Sequence, residues 1–441
     1  MAAHEPETAT DTLLARRQAS VSSGVPQGTR IAASHGLGAI LTDVDGNDFI
    51  DLSSGIGVTT LGHSDPYVVQ AIIDQASQLQ HTCMHIATYE GYVALCEKLV
   101  ALFPHGEDTR AVLLNSGSEA VENAIKIARQ ATGRPSIICF TGAFHGRTLL
   151  SMTLTSKVSY KQGCGPFASN VFRLPYPRVR EFHDDPDVVA EQALTLLRHA
   201  FRDTVSPTDL AAILIEPVLG EGGFYHAPVA YLQGLREICD EHGIALIFDE
   251  VQTGFCRTGS WGAYQNLGVT PDLSTWAKAM GGGLPISAVV GKAHVMNAVK
   301  TGTLGGTFGG NPIACAAALT TLRRMEELDL CSRAHAVGER LRVRYQQLAD
   351  AHREVVDVRG LGAMVAIEFC VDGDLTRPAT EAVQQILAHC RKNGVLMLSA
   401  GVYGNVIRAL PALVITDAQL DKALDALHAA ADAVLGGSDH E

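Results

Sequence analysis

Between residues 110 and 300, short unbroken apolar runs alternate with stretches in which apolar positions recur every three or four residues. Residues 111–114, 136–140, 211–215 and 244–248 are runs of strand length. A run that is apolar on both faces belongs to a sheet covered on both sides. Tyr92, Leu95, Leu99 and Leu102 fall on one helical stripe, as do Val121, Ala124, Ile125 and Ala128, and a further helix is expected over 229–241. This alternation predicts an α/β fold with a mostly parallel, doubly wound sheet. Upstream, residues 39–41 and 49–52 flank Asp45-Gly46, a hairpin signature, and 54–58 read as a glycine-loosened loop. The pattern changes after about residue 335. Strands are expected at 355–358, 364–369, 395–398 and 406–410 and a helix at 381–392, while Leu420, Leu424, Leu427, Ala431 and Val434 stripe a last helix. The division expected is an N-terminal arm and hairpin (1–65) belonging to a small domain, a large domain (66–335), and a C-terminal small α+β domain (336–441).

Composition narrows the function classes. With 46% hydrophobic and 18% charged residues, the 441-residue chain has an ordinary globular make-up. Its net charge of -13 and the absence of a basic run exclude a nucleic-acid partner. The ten cysteines contain no C-x-x-C pair and read as reduced, small buried residues. No window approaches the roughly 18–20 apolar residues of a membrane span. The first twenty residues carry acids early and no apolar segment, so no signal peptide is expected and a cytoplasmic location is. Two metal patterns fail. Asp43, Asp45 and Gly46 place the glycine at the fourth position of a calcium loop rather than the sixth, with Ser54 at the twelfth. His81 and His85 lack an H-E-x-x-H pattern or a third ligand, so no metal is expected.

The chemistry concentrates in residues 246–284. An apolar strand ends there in Asp249 and Glu250, and Lys278 follows among Trp276, Ala277, Ala279 and Met280, just before Gly281-Gly282-Gly283. Acids at the carboxyl end of a strand stand where open α/β sheets bind ligands. A lysine withdrawn from water has a depressed pKa and attacks carbonyls. Acid plus lysine is the pairing of a pyridoxal phosphate site, and the ordinary alternative is a strand-end carboxylate and an unrelated surface lysine. Ser116-Gly117-Ser118-Glu119 opens a helix after a strand, which makes either an anion site or a simple cap. Phe144, beside a glycine turn, could stack on a planar ring, and Arg147 could grip a carboxylate. Gly220-Glu221-Gly222-Gly223 follows Glu216 and leaves Glu221 exposed on a loop, while Thr307 in a glycine-rich turn could donate to a phosphate. Arg408 lies inside an apolar strand and requires a carboxylate partner.

Ser116-Gly117-Ser118-Glu119-Ala120, Phe144-His145-Gly146-Arg147-Thr148, Glu216-Pro217-Val218 with Gly220-Glu221-Gly222-Gly223, Asp249-Glu250-Val251-Gln252, Ala277-Lys278 and Gly306-Thr307 occur in an order and spacing that resemble the class III pyridoxal-phosphate aminotransferases of fold type I. The resemblance spans about residues 30–435, and within the family it is to the 4-aminobutyrate aminotransferases. It implies that Lys278 forms the Schiff base with pyridoxal 5′-phosphate and shuttles a proton, and that Asp249 pairs with the pyridinium nitrogen. Gly117 and Ser118 would hold the phosphate, with Thr307 contributed by the partner of a homodimer. Phe144 would stack on the ring, Val251 would pack on its other face, and Gln252 would bond near its 3-oxygen. Arg147 would take the far carboxylate of the substrate and Arg408 the α-carboxylate of glutamate or 2-oxoglutarate. Glu221 would close on Arg408 when the donor has no α-carboxylate, Ile56 would form an apolar wall, and Glu216 counts among the substrate-site residues. The activity implied is ping-pong transamination of an ω-amino acid, 4-aminobutyrate foremost, with 2-oxoglutarate, giving succinic semialdehyde and glutamate. Donors such as 5-aminovalerate, β-alanine or 3-amino-2-methylpropanoate are the alternatives, with ornithine or a diamine disfavoured. The assembly implied is a homodimer, or a tetramer of paired dimers. Two departures stand out: His85 replaces a glutamine near the substrate channel, and Pro411 is shifted by one place relative to Arg408.

Overall fold

The apolar strands of the middle of the chain assemble into one seven-stranded sheet in the computed structural model, which describes residues 8–106 and 108–436. Its strands are β4 (Thr109–Leu114), β5 (Ser136–Phe140), β6 (Val171–Leu174), β7 (Leu210–Ile215), β8 (Ala245–Asp249), β9 (Leu273–Trp276) and β10 (Ser287–Lys292), following β1 (Ala33–Leu37), β2 (Ile40–Asp43) and β3 (Asp48–Asp51) of the N-terminal region. The order is β4-β10-β9-β8-β7-β5-β6. β9, β8, β7, β5 and β6 pair in parallel, and only β10 runs against its neighbours β4 and β9. Every residue of β5, β7, β8 and β9 is buried. That is the burial expected when helices cover both faces of a parallel sheet. Helix Gly117–Thr132 packs on one face through Val121, Ala124, Ile125 and Ala128, and Gly133 ends it in the left-handed conformation.

The hairpin around Asp45-Gly46 is β2 and β3, with Gly46 at φ 86°. The 54–58 stretch expected as a loop is instead one left-handed helical turn. Ser54, Gly55, Ile56 and Gly57 all have positive φ, and for β-branched Ile56 (φ 67°) this is a strained conformation.

The C-terminal strands are β11 (Val355–Leu361), β12 (Met364–Phe369), β13 (Val395–Leu396), β14 (Leu398–Ala400) and β15 (Val406–Ala409). They divide between two sheets. β11-β12-β15-β14 is antiparallel, whereas β13 leaves it to pair in parallel with β3, Val395 opposite Ile50. The N-terminal hairpin thus shares a sheet with the C-terminal region. The 22-residue helix Leu330–Ala351 runs through the division expected at 335/336. Its apolar stripe (Leu330, Ala334, Val337, Leu341, Tyr345, Leu348) is continuous, so nothing breaks the helix there. Among the described helices none is long and apolar enough to cross a membrane.

Candidate active site

A cavity of about 390 Å³ opens at the carboxyl ends of the parallel strands. Its wall includes Ser116, Gly117, Ser118, Phe144, His145, Glu216, Glu221, Asp249, Val251, Gln252 and Lys278, gathered from loops after five strands. Ile56, Arg147, Arg408 and Thr307 are not part of that wall. Arg408 lies just behind it, joined to Glu221, while Arg147, Ile56 and Thr307 are exposed in the single chain.

The anion end is helix Gly117–Thr132. Ser116 caps it, its Oγ accepting from Glu119 N, and the Glu119 carboxylate accepts from the amides of Asn115 and Ser116. The capping reading of this turn holds, and it leaves the anion reading open. The cap occupies Ser116 and Glu119, while the amides of Gly117 and Ser118, first in the helix, have no intrahelical acceptor and remain for an anion. Space is tight around them. A methyl at Gly117 would lie 3.1 Å from Val251, and one at Gly146 (φ 128°) would lie 2.0 Å from Ser118 Oγ.

Asp249 stands at the end of β8, 4% exposed, with a full set of partners. Oδ2 faces His145 Nδ1 at 2.7 Å, and Oδ1 accepts from Thr275 Oγ1 at 3.0 Å and from Val251 N at 3.1 Å. His145 Nε2 is buried without a partner. Glu250, the next residue, points the other way. It accepts from Ala263 N (3.0 Å), Tyr264 N (2.8 Å) and Thr253, and burial pushes its carboxyl up to about 7 despite these donors. Of the two strand-end acids, Asp249 serves the cavity and Glu250 clamps the loop behind it.

Glu216, at the end of β7, ties two loops together by accepting from Phe144 N and Gly220 N, both at 2.8 Å. Burial pushes it up to about 7. Lys278 begins a short 3₁₀ turn after β9 with φ 48°, a left-handed conformation that is costly for a side chain with a Cβ. Burial pulls its amine below the usual lysine value, and the Glu221 charge opposes that pull. Lys278 is half-buried and lines the cavity, so it is not an ordinary surface lysine.

Arg408, on β15 and 3% exposed, meets Glu221 in a bidentate pair at 2.6 and 3.0 Å, with Gly220 O at 3.3 Å. This is the carboxylate that its place in an apolar strand requires. Burial raises the Glu221 carboxyl, but the Arg408 charge and hydrogen bond outweigh it and hold the group below its usual value. Gln252 Oε1 is buried and unpartnered. The Arg147 guanidinium lies 4.9 Å from the Tyr160 ring and 6.0 Å from that of Phe144. His81 and His85 lie on a turn-rich stretch rather than a helix; the His81 ring packs on Phe308 at 5.0 Å, and His85 borders Gly305. Sequence reasoning gave no role to His145, Thr275 or Tyr160. His145 lies inside a family motif but was given no role there, and no local signal marks Thr275 or Tyr160; each gains its meaning from a partner brought near by the fold, His145 from one 104 residues away.

An anion-binding helix start, a buried acid opposite it and a desolvated lysine between glycine-shaped walls suit a flat, phosphorylated aldehyde cofactor. The chain belongs to the class-III aminotransferases, whose family model matches residues 22–431 and whose members use pyridoxal 5′-phosphate. Among characterised relatives, it is 46% identical to a 5-aminovalerate aminotransferase of Pseudomonas aeruginosa over 94% of this chain and 96% of that one. It is 44% identical, with the same coverage, to a 4-aminobutyrate aminotransferase of Escherichia coli. Among solved structures, an amine transaminase from an uncultivated Pseudomonas species in its pyridoxal-phosphate-bound form superposes with a TM-score of 0.87 at 29% identity, covering 94% of this chain and 98% of that one. The ornithine aminotransferase of Toxoplasma gondii gives 0.84 at 30% identity, covering 97% and 96%.

Proposed function

We propose that the enzyme transfers the amino group of an ω-amino acid, 4-aminobutyrate or its one-carbon-longer homologue 5-aminovalerate, to 2-oxoglutarate. The observation that carries this reading is the closed Glu221–Arg408 pair. A guanidinium buried behind the cavity is the natural seat for an α-carboxylate, and glutamate and 2-oxoglutarate both have one. An ω-amino acid has none, and an unpaired buried arginine would cost several kcal/mol. Glu221 supplies the missing charge from a glycine loop that is able to swing aside. One residue pair thus serves two half-reactions with differently charged substrates.

Pyridoxal 5′-phosphate, when bound, supplies the electron sink that makes the carbon bearing the amine acidic. The other tasks fall to the chain. Gly117 and Ser118 offer amides to the phosphate, and in a homodimer Thr307 would come from the partner subunit. Asp249, fixed by His145 and Thr275, offers a carboxylate to the ring nitrogen. Phe144, Val251 and Gln252, which line the cavity, would hold the cofactor's ring. Lys278 would hold the cofactor through Nζ, and the same amine, its pKa lowered by burial, would carry the proton at the substrate carbon. Glu216 holds the loops of Phe144 and Gly220 together at the substrate side. Arg147 takes the far carboxylate, and Ile56 lines the path of the chain. The assembly proposed is a homodimer, with a tetramer of such dimers as the larger form, acting in the cytoplasm; the exposed Tyr67, Ile73, Ile86 and Phe308 are apolar surface available to a partner subunit.

Two measurements test the reading. Lys278→Ala is expected to lose the visible absorbance of the lysine-bound cofactor and to abolish turnover; retained transamination refutes the assignment. A kcat/KM panel over β-alanine, 4-aminobutyrate, 5-aminovalerate, ornithine and putrescine, with 2-oxoglutarate as acceptor, is expected to peak at four or five carbons. Ornithine or putrescine in first place would sink the substrate assignment.

A further inference from the structure

Tyr160 ends the 3₁₀ turn Val158–Tyr160, which no motif marked. The face of its ring receives the Arg147 guanidinium at 4.9 Å, and the ring meets Phe144 nearly edge-on, with centroids 5.4 Å apart at 75°. Glu221 and Arg408 also act on it. Burial and the Glu221 charge raise the phenol above its usual value, while the two arginines oppose them. The turn is mounted on both sides of the site. Ser156 N donates to Ala143 O at 2.8 Å, next to Phe144. Lys157 Nζ reaches Gly401 O at 3.5 Å, and Gly401 N in turn donates to Glu221 O at 2.9 Å. Arg147 itself is exposed, and among the described residues its guanidinium lies against the Tyr160 and Phe144 rings rather than in an ion pair. A free arginine on a long side chain would accept a carboxylate over a wide range of positions, and an arginine seated on a fixed aromatic face would not.

We propose that Tyr160 is a positioning and specificity-determining residue of the donor site, its ring seating Arg147 at a set distance from Lys278 and so selecting the length of the ω-amino acid. This rests on the reading of Arg147 as the far-carboxylate ligand. The ring face makes the stacking contact, and the hydroxyl adds a weaker interaction with Arg147.

The test uses the holoenzyme and three donors, 4-aminobutyrate, 5-aminovalerate and butylamine, the last having no carboxylate. Tyr160→Leu is expected to raise KM for both acids about five- to tenfold with kcat within about twofold, and to narrow the preference between them. Butylamine kinetics and the visible spectrum of the bound cofactor should not move, and Tyr160→Phe should stay within about twofold of the parent. An equal loss for butylamine and the acids, or no change for either, overturns the proposal. Arg147→Ala separates the two levels. If that variant still prefers the acids to butylamine, the reading of Arg147 fails and the Tyr160 role with it. If it loses the preference while Tyr160→Leu keeps normal acid kinetics, only the Tyr160 proposal falls.

Discussion

Two buried arginines on the same small sheet hold the same glycine loop, and their surroundings differ. Arg359 on β11 is fully buried. It is bound to Asp357 at 2.7 Å and Glu368 at 2.6 Å, lies 3.5 Å from the Tyr225 ring, and donates through Nε to Gly223 O at 2.8 Å. Arg408 on β15, two strands away, has one carboxylate, Glu221, and that carboxylate belongs to the loop itself. Arg359 anchors the loop at Gly223 by a backbone contact that survives any movement of the Glu221 side chain. Arg408 touches it at Gly220 O (3.3 Å) and anchors it through Glu221, the one ion pair that has to break when an α-carboxylate arrives. An arginine with several carboxylates off the loop is a fixture, and an arginine with a single, loop-borne carboxylate is suited to exchange.

The contrast can be broken experimentally. Arg359→Met leaves Asp357 buried without its cation and Glu368 with only Arg180 at 3.7 Å, and is expected to cost about 3–5 kcal/mol in denaturant unfolding. A loss below 1 kcal/mol would remove the distinction. Glu221→Gln leaves Arg408 buried without an anion when an ω-amino acid binds. It should lower kcat/KM for the donor half-reaction about ten- to a hundredfold and spare the glutamate half-reaction, read separately by single-turnover spectra. Equal losses in both halves would make the pair structural. Arg408→Met should cost only about 1 kcal/mol in stability, since the Glu221 side chain is 20% exposed and can reach water, yet should raise KM for 2-oxoglutarate. A further effect concerns pH. Burial raises Glu250 from 4.5 to about 7, so over that window the folded protein holds a proton that the unfolded chain has lost. Stability from this group therefore falls as pH rises from about 4.5 to about 7 and is flat outside that window. Glu250→Gln should flatten that part of a melting-temperature profile, whatever it does to the absolute value.

The sequence by itself determined the strands and helices that carry the site, because each has a local cause. The β7 and β8 runs are apolar on both faces and end in acids, Ser116 and Glu119 cap their own helix, and Asp45-Gly46 turns its own hairpin. It also determined that Arg408 needs an anion, since burying a lone guanidinium is prohibitive wherever the partner lies. The family motifs named Glu221 as that partner, and the structure supplied the distances.

Other features were decided by the tertiary structure alone. Asp249 and Glu250 are neighbours of one charge type at one strand end. Which of them faces the cavity depends on where His145, Thr275 and the helix start at Ala263 come to rest. The left-handed turn at Ser54–Gly57 runs against the preference of Ile56, so only surrounding packing can impose it. The pairing of β3 with β13 joins segments more than 340 residues apart, and no periodicity within either segment encodes it. Tyr160 acquires its place over Arg147 in the same way. Local pattern is written in neighbouring residues, whereas a contact across the fold exists only once the intervening chain has closed around it.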